Sequence, residues 1–235
     1  MFGKYTAPFS QKILESVLSF QKEDEHFVYR RRQDGVLVEK NLLHSGKGLH
    51  ILPVEPVNVP KHITPFLLIE LTRPIFLESR MEEMVFLTFP LEVGVLVSLR
   101  KTDEVIDIFS PTRQKYTLYG EPRTGQICRY WKSAVYAKEP DPLSRGEGII
   151  RLTLKNTTAD WVHLKQVVLN AFGMKIFYDG NRVAQSATMK ILGPKSADTD
   201  LLESPYARNM KKSVELYTLR KQLISTPRFS MREGI

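Results

Sequence analysis

The chain predicts a mainly β protein with little helix, built as two packed β units of which the second is sandwich-like. Three observations carry this. Ile150-Arg151-Leu152-Thr153-Leu154-Lys155 alternates apolar and polar residues with period two, the mark of a half-buried strand. Comparable short runs recur at close intervals along most of the chain. Turn chemistry separates them: Gln33-Asp34-Gly35 and Asp179-Gly180-Asn181 place residues tolerant of positive φ between strand-like segments, a strong hairpin signal.

Taken in order, Ser10–Phe20 puts Ile13, Leu14, Val17 and Leu18 on one helical face and fits an extended edge equally well. Glu23-Asp24-Glu25 reads as a solvated turn, after which His26–Arg32 and Val36–Lys40 form a hairpin. Thr64–Leu71 and Ile75–Leu77 are strand-like runs interrupted by Arg73-Pro74. Met84–Leu99 is rich in β-branched and aromatic residues, and its Pro90 and Gly94 argue for a bulge, a bend or an edge position. Glu104–Phe109, Lys115–Tyr119 and Gln126–Tyr136 follow, with Pro111, Gly120, Pro122 and Gly125 in the loops between them.

Residues 138–148 combine Pro, Gly and charge with almost no apolar side chain, as a linker or long loop does. They divide an N-terminal β-rich unit, 1–137, from the core of a second β-sandwich-like unit, 149–192. In the latter, Ile150–Lys155 and Trp161–Leu164 are strands joined by the break Asn156–Asp160, and Met174–Tyr178 pairs with Val183–Ile191 across Asp179-Gly180-Asn181. Gly193–Asp200 closes the strand-rich part. The remaining basic segment, 193–235, packs on this unit or is partly helical. Within it Asn209–Ile224 fits a weak amphipathic helix, while Val214–Leu219 fits a strand.

Hydrophobic residues make up 42% of the 235, enough for a packed core and against general disorder. The most apolar window, Met84–Leu99, contains Glu92, Pro90 and Gly94 and falls short of the roughly 20 residues a bilayer span needs. With no basic-then-apolar opening, a soluble cytoplasmic protein is the expectation. The single cysteine, Cys128, excludes an intrachain disulfide framework and cysteine-based zinc sites, and its apolar surroundings make it a buried, inert thiol. Asn156-Thr157-Thr158 has the form of a glycosylation sequon but reads as turn chemistry. The net charge of +8 is concentrated toward the C-terminus, where Pro205–Ile235 carries seven Lys/Arg against Glu215 and Glu233. An anionic partner is compatible with that asymmetry.

Catalytic signatures are lacking. Asn41–His50 departs from a P-loop at its first and last required positions, Asp198-Thr199-Asp200 is too short to define a cation site, and there is no nucleophile elbow, kinase set or dinucleotide fingerprint. His44, His50 and His62 are the residues from which a metal-dependent site would be built, imidazoles being suited to zinc, iron or nickel, although their spacing matches no HExxH pattern. Arg129-Tyr130-Trp131-Lys132 interleaves basic and aromatic residues on a β surface, the chemistry of single-strand nucleic-acid binding. Lys211, Lys212, Arg220 and Lys221 would extend that path. The leading expectation is a non-enzymatic binding or assembly module with no cofactor, joining a protein partner or a second copy through exposed sheet edges or loops. A nucleic-acid binder and a histidine-based metal enzyme are the alternatives.

The opening Phe2-Gly3-Lys4-Tyr5, the central Thr88–Val95, the strand end Leu154-Lys155-Asn156-Thr157 and the closing Ser230–Gly234 resemble a family of uncharacterised archaeal proteins known only as a domain of unknown function. The resemblance spans nearly the whole chain. It implies an archaeal, cytoplasmic setting and carries no catalytic residues over.

Overall fold

The computed structural model describes residues 1–44, 48–60, 63–98, 103–141, 146–180, 182–216 and 228–235. The architecture is mainly β, as expected. After a short β1 (Gly3–Tyr5) comes a four-stranded antiparallel meander of β2 (Phe9–Ile13), β3 (Ser16–Glu23), β4 (His26–Gln33) and β5 (Val36–Leu42). Turn chemistry sets its register. Asp34 and Gly35 take φ of 49° and 77°, the left-handed pair of a tight two-residue hairpin, and Asp24 at 52° does the same between β3 and β4. The ambiguous Ser10–Phe20 stretch is thus strand, and its period explains why. Ile13, Leu18 and Phe20 are buried while Val17 is 45% exposed, which no single helical face would allow.

Next come β6 (Leu49–Val54), β7 (Phe66–Leu77), β8 (Glu82–Pro90), β9 (Glu92–Ser98), β10 (Asp103–Phe109), β11 (Tyr116–Tyr119) and β12 (Gln126–Ser133). The expected interruption at Arg73-Pro74 is a register irregularity within β7. Residues 71–74 have no partners on the strand that flanks 66–70 and 75–77, so the missing N–H of Pro74 breaks no ladder bond. The apolar run Met84–Leu99 divides after Pro90, with β8 and β9 entering different sheets.

The rest comprises β13 (Glu147–Asn156), β14 (Val162–Asn170), a 3-10 turn at Ala171–Gly173, β15 (Phe177–Tyr178), β16 (Val183–Gly193), β17 (Ser196–Leu202), β18 (Lys211–Lys212) and β19 (Phe229–Met231). The Asp179 turn does join β15 to β16, with Tyr178 opposite Val183. Two expectations need correction. Ser196–Asp200, read as part of a closing loop, belongs to β17, an antiparallel neighbour of β16. Its inward residues are Ala197, Thr199 and Leu201, two of them too small or polar to register as an apolar alternation. Asn209–Ile224 shows only β18 and irregular chain among its described residues, and 217–227 lie outside them.

Two cores result. The sheet β11-β12-β7-β14 faces the seven-stranded sheet, in which β18-β15-β16-β13-β8 is extended by β17 and β19. Leu67, Ile69, Leu87, Phe89, Ile150, Leu152, Leu154, Leu164 and Val167 fill the space between them. Each such side chain contributes about 1.5–3 kcal/mol by leaving water. The sheet β1-β6-β9-β10 packs on the meander through Ile51, Val93, Val95, Val97, Leu18, Phe20 and Tyr29. Tyr29 Oη and Arg31 Nε both donate to Asp107 Oδ2, at 2.9 and 2.7 Å, and fasten that pair of sheets at its margin.

These cores are interleaved along the chain. The expected units 1–137 and 149–192 share sheets, because β8 pairs with β13 over nine residues and β7 pairs with β14. Strands β13 and β14, consecutive in sequence, therefore lie in different sheets, and 156–160 is an arch between sheets. Asn156 organises that arch. Its buried Nδ2 donates to the carbonyls of Glu78 (2.8 Å), Asp160 (2.9 Å) and Leu77 (3.4 Å), while Oδ1 accepts from the Thr158 amide and hydroxyl. An amide so engaged is turn chemistry, as the sequence suggests. Asn156→Ala should cost about 2–3 kcal/mol by stranding buried carbonyls, read as a lower urea midpoint at unchanged slope.

Candidate functional site

Two features stand out from this scaffold, one inside and one on the surface. The interior one lies where the two cores meet, as β8 passes through Leu91 into β9. Glu92 begins β9 and is fully buried. Its Oε2 accepts from the Asn58 backbone amide at 2.9 Å, and the Val59 amide also favours its charged form. Asn58 Nδ2 in turn donates to the Glu55 carbonyl at 2.7 Å and to Glu55 Oε2 at 3.3 Å. On β12, Arg129 is 1% exposed. Its Nη2 reaches Ser110 Oγ at 3.4 Å, and the Tyr116 ring centroid lies 5.7 Å from its guanidinium carbon. Nε and Nη1 of Arg129, Oε1 of Glu92 and Oγ1 of Thr112 are buried and meet no hydrogen-bond partner among the described residues.

Electrostatics couple these groups. Burial pushes the Glu92 carboxyl up to about 8, against the opposing pull of the Asn58 amide and the Arg129 charge, and the Glu55 carboxylate adds to the rise. Burial also lowers Arg129, with Glu92 and Tyr116 working the other way. The sequence carried one signal for this site: Glu92 is the sole charged residue in Val85–Val97, and a charge inside an apolar strand run marks either an edge or a buried ionisable group. What no local pattern shows is that Arg129, Glu92 and Glu55 converge from β12, β9 and the loop after β6.

The surface feature is the end where β7, β14 and the 156–160 arch meet. Phe76 and Trp161 are 67% and 61% exposed, and the Phe76 ring stacks on His163 at 4.4 Å and 5°. Met81 and Leu192 are also exposed, and the backbone beside each is hydrogen bonded to the arch: the Asn156 amide donates to the Met81 carbonyl and the Thr157 amide to the Ile191 carbonyl. Around them, Glu78, Arg80, Asp160 and Lys165 put both signs of charge in water.

The residues expected to form a basic-aromatic surface separate. Strand alternation turns Arg129 into the interior cluster and sends Trp131 toward Thr88, whose hydroxyl accepts from the indole N–H at 3.2 Å. Tyr130 and Lys132 share the opposite face and both meet Glu70, the hydroxyl at 2.9 Å and the ammonium at 3.4 Å. Lys211 and Lys212 are exposed on β18, and Arg220 and Lys221 lie outside the described residues. Of the histidines, His44 is exposed, His50 on β6 lies 3.5 Å from Ser98 Oγ, and His62 lies outside the described residues. Among the described residues no three His, Cys, Asp or Glu side chains gather as a metal-binding group. Cys128 is buried, and desolvation raises its thiol to about 12, so it is unreactive at neutral pH. Among the described residues no helix is long and apolar enough to cross a membrane.

Fold and site together define an all-β protein of two interleaved cores with an ionisable cluster at their junction. The chain belongs to the protein family of unknown function DUF432, which it matches over residues 1–232. No curated protein and no solved structure matches it.

Proposed function

We propose that the protein is a non-enzymatic assembly module that joins a second copy of itself through the Phe76–Trp161 end face. The observation behind this reading is the exposure of two large aromatic rings on a frame that the Asn156 hydrogen bonds hold rigid. Aromatic side chains in such positions are the usual anchors of protein interfaces, and preorganisation spares the ordering cost of binding. The rim favours a protein of the same kind over a polyanion. Glu78 and Asp160 stand beside Arg80 and Lys165, so the face is complementary to itself, whereas a phosphate backbone calls for a single sign of charge.

Sedimentation velocity across micromolar concentrations tests this. The expected result is a concentration-dependent dimer, with Phe76→Ala/Trp161→Ala shifting dissociation by about thirtyfold or more at unchanged urea midpoint. A wild-type chain that stays monomeric throughout, or a dimer indifferent to the double substitution, would refute the reading.

A further inference from the structure

The interior cluster points to something separate from assembly. We propose that Arg129, Glu92 and Thr112 together bind a small oxyanion at the junction of the two cores. A guanidinium carries five N–H donors; here Nη2 reaches Ser110 Oγ at the long distance of 3.4 Å and the Tyr116 side chain also bonds the guanidinium, while Nε and Nη1 meet no acceptor among the described residues. Leaving Nε and Nη1 unmet in the interior is costly, and so is leaving unmet the buried Oε1 of Glu92, a carboxyl close enough to feel the Arg129 charge, and the buried hydroxyl of Thr112. Thr112 belongs to the same group through its carbonyl, which accepts from Ser110 Oγ at 2.8 Å. One molecule with several acceptor oxygens and a negative charge satisfies these requirements at once: it takes the guanidinium donors, the threonine hydroxyl and a proton on Glu92 Oε1.

Among the described residues the ionisable groups facing Glu92 are Arg129 from β12, Glu55 from the loop after β6 and Tyr116 from β11. Burial keeps the Glu92 carboxyl protonated at neutral pH, so it acts as a donor to the anion and adds no opposing charge. Above about pH 8 it becomes a carboxylate beside the bound anion, and affinity declines. Tyr116 is 37% exposed and lies over the guanidinium, which makes it the side chain between the site and solvent.

The test is isothermal titration of the full chain with sodium sulfate, sodium phosphate and sodium acetate at pH 6, at ionic strength held constant with chloride. Saturable one-to-one binding of at least one oxyanion is expected, and preference between the tetrahedral ions and acetate identifies the shape of the natural ligand. Arg129→Lys should weaken binding about tenfold or more; Thr112→Val, a smaller change in a loop, serves if the lysine variant fails to fold. Titrating the preferred ion, sulfate or acetate, at higher pH should show a loss of about tenfold per unit above pH 8, and Glu92→Gln, which keeps a donor and cannot titrate, should remove that loss. No binding beyond chloride, binding untouched by Arg129→Lys and Thr112→Val, or a pH dependence that survives in Glu92→Gln would each overturn the proposal.

Discussion

Gly148→Ala should destabilise the fold by about 3 kcal/mol, although it adds a single methyl group. A Cβ at position 148 would stand 2.4 Å from both Cε1 and Cζ of Phe89 and 3.0 Å from Cδ2 of Leu91. Gly148 lies opposite Phe89 in the β13–β8 ladder, and Phe89 is fully buried between two sheets, so the ring has nowhere to turn. Relief must come from moving β13, whose parallel pairing with β16 begins at the very next residue. The contact is tested by a cycle with Phe89→Leu, a substitution that makes room at a cost of about 1–1.5 kcal/mol alone. In urea denaturation the double variant should be more stable than the summed effects by at least about 1 kcal/mol. Additivity within about 0.5 kcal/mol would mean that the ring is not what excludes a side chain at 148.

Much of the fold was legible because its strands are half-buried. In β13 the inward Ile150, Leu152 and Leu154 alternate with Arg151, Thr153 and Lys155, so periodicity alone exposes them. The Asp34-Gly35 turn was legible for an equally local reason, positive φ at residues that tolerate it. The Asp179 turn was legible through its side chain, whose Oδ1 accepts from the Arg182 amide at 2.8 Å without any positive φ at Asp179 or Gly180. β17 was hidden because it packs Ala197 and Thr199 inward, the latter held by a bond from its hydroxyl to the Val168 carbonyl at 2.6 Å, where a hydrophobic side chain would have announced the strand. Hairpin partners were legible, but long-range pairing was not. Nothing local reveals that β8, before the 138–148 stretch, lies beside β13 after it, since even the nearest pair of that ladder, Pro90 and Glu147, stands 57 positions apart.

The candidate site was half legible, for the same reason. Arg129 stands out by its aromatic neighbours, but strand alternation carries it to the opposite face from Tyr130 and Lys132, and the tetrapeptide's side chains reach three different partners: Ser110 for Arg129, Thr88 for Trp131, and Glu70 for Tyr130 and Lys132. In the sequence Glu92 is only the charge that interrupts an apolar window. Its meaning depends on Asn58 and Arg129, which approach from distant parts of the chain. Buried ionisable groups are defined by tertiary surroundings, and a one-dimensional pattern records only that a charge sits where none is expected.

Glu92→Gln should abolish the pH dependence that this carboxyl imposes on stability. Its folded-state value is raised from 4.5 to about 8, chiefly by burial. Below pH 4.5 both native and unfolded chains hold the proton and Glu92 contributes no slope. Between 4.5 and about 8 the native chain keeps a proton that the unfolded chain has released, so each unit of rising pH costs the native state up to about 1.4 kcal/mol. The stability associated with the neutral carboxyl is thus complete in acid and gone once pH passes 8, the opposite of a salt-bridged carboxylate. The carboxamide introduced by Glu92→Gln would retain the acceptor for the Asn58 amide, shed the ionisation, and leave a donor toward Arg129 that replaces a proton with an amide hydrogen. In chloride buffer, urea unfolding of wild type and variant should therefore diverge with pH: similar midpoints at pH 4.5, and at pH 8.5 a variant more stable by about 4 kcal/mol. Other titrating groups contribute equally to both chains and cancel in the difference. A constant gap between the two curves from pH 4.5 to 8.5 would show that Glu92 is ionised in the native state throughout, with Arg129 and the two amides outweighing its burial.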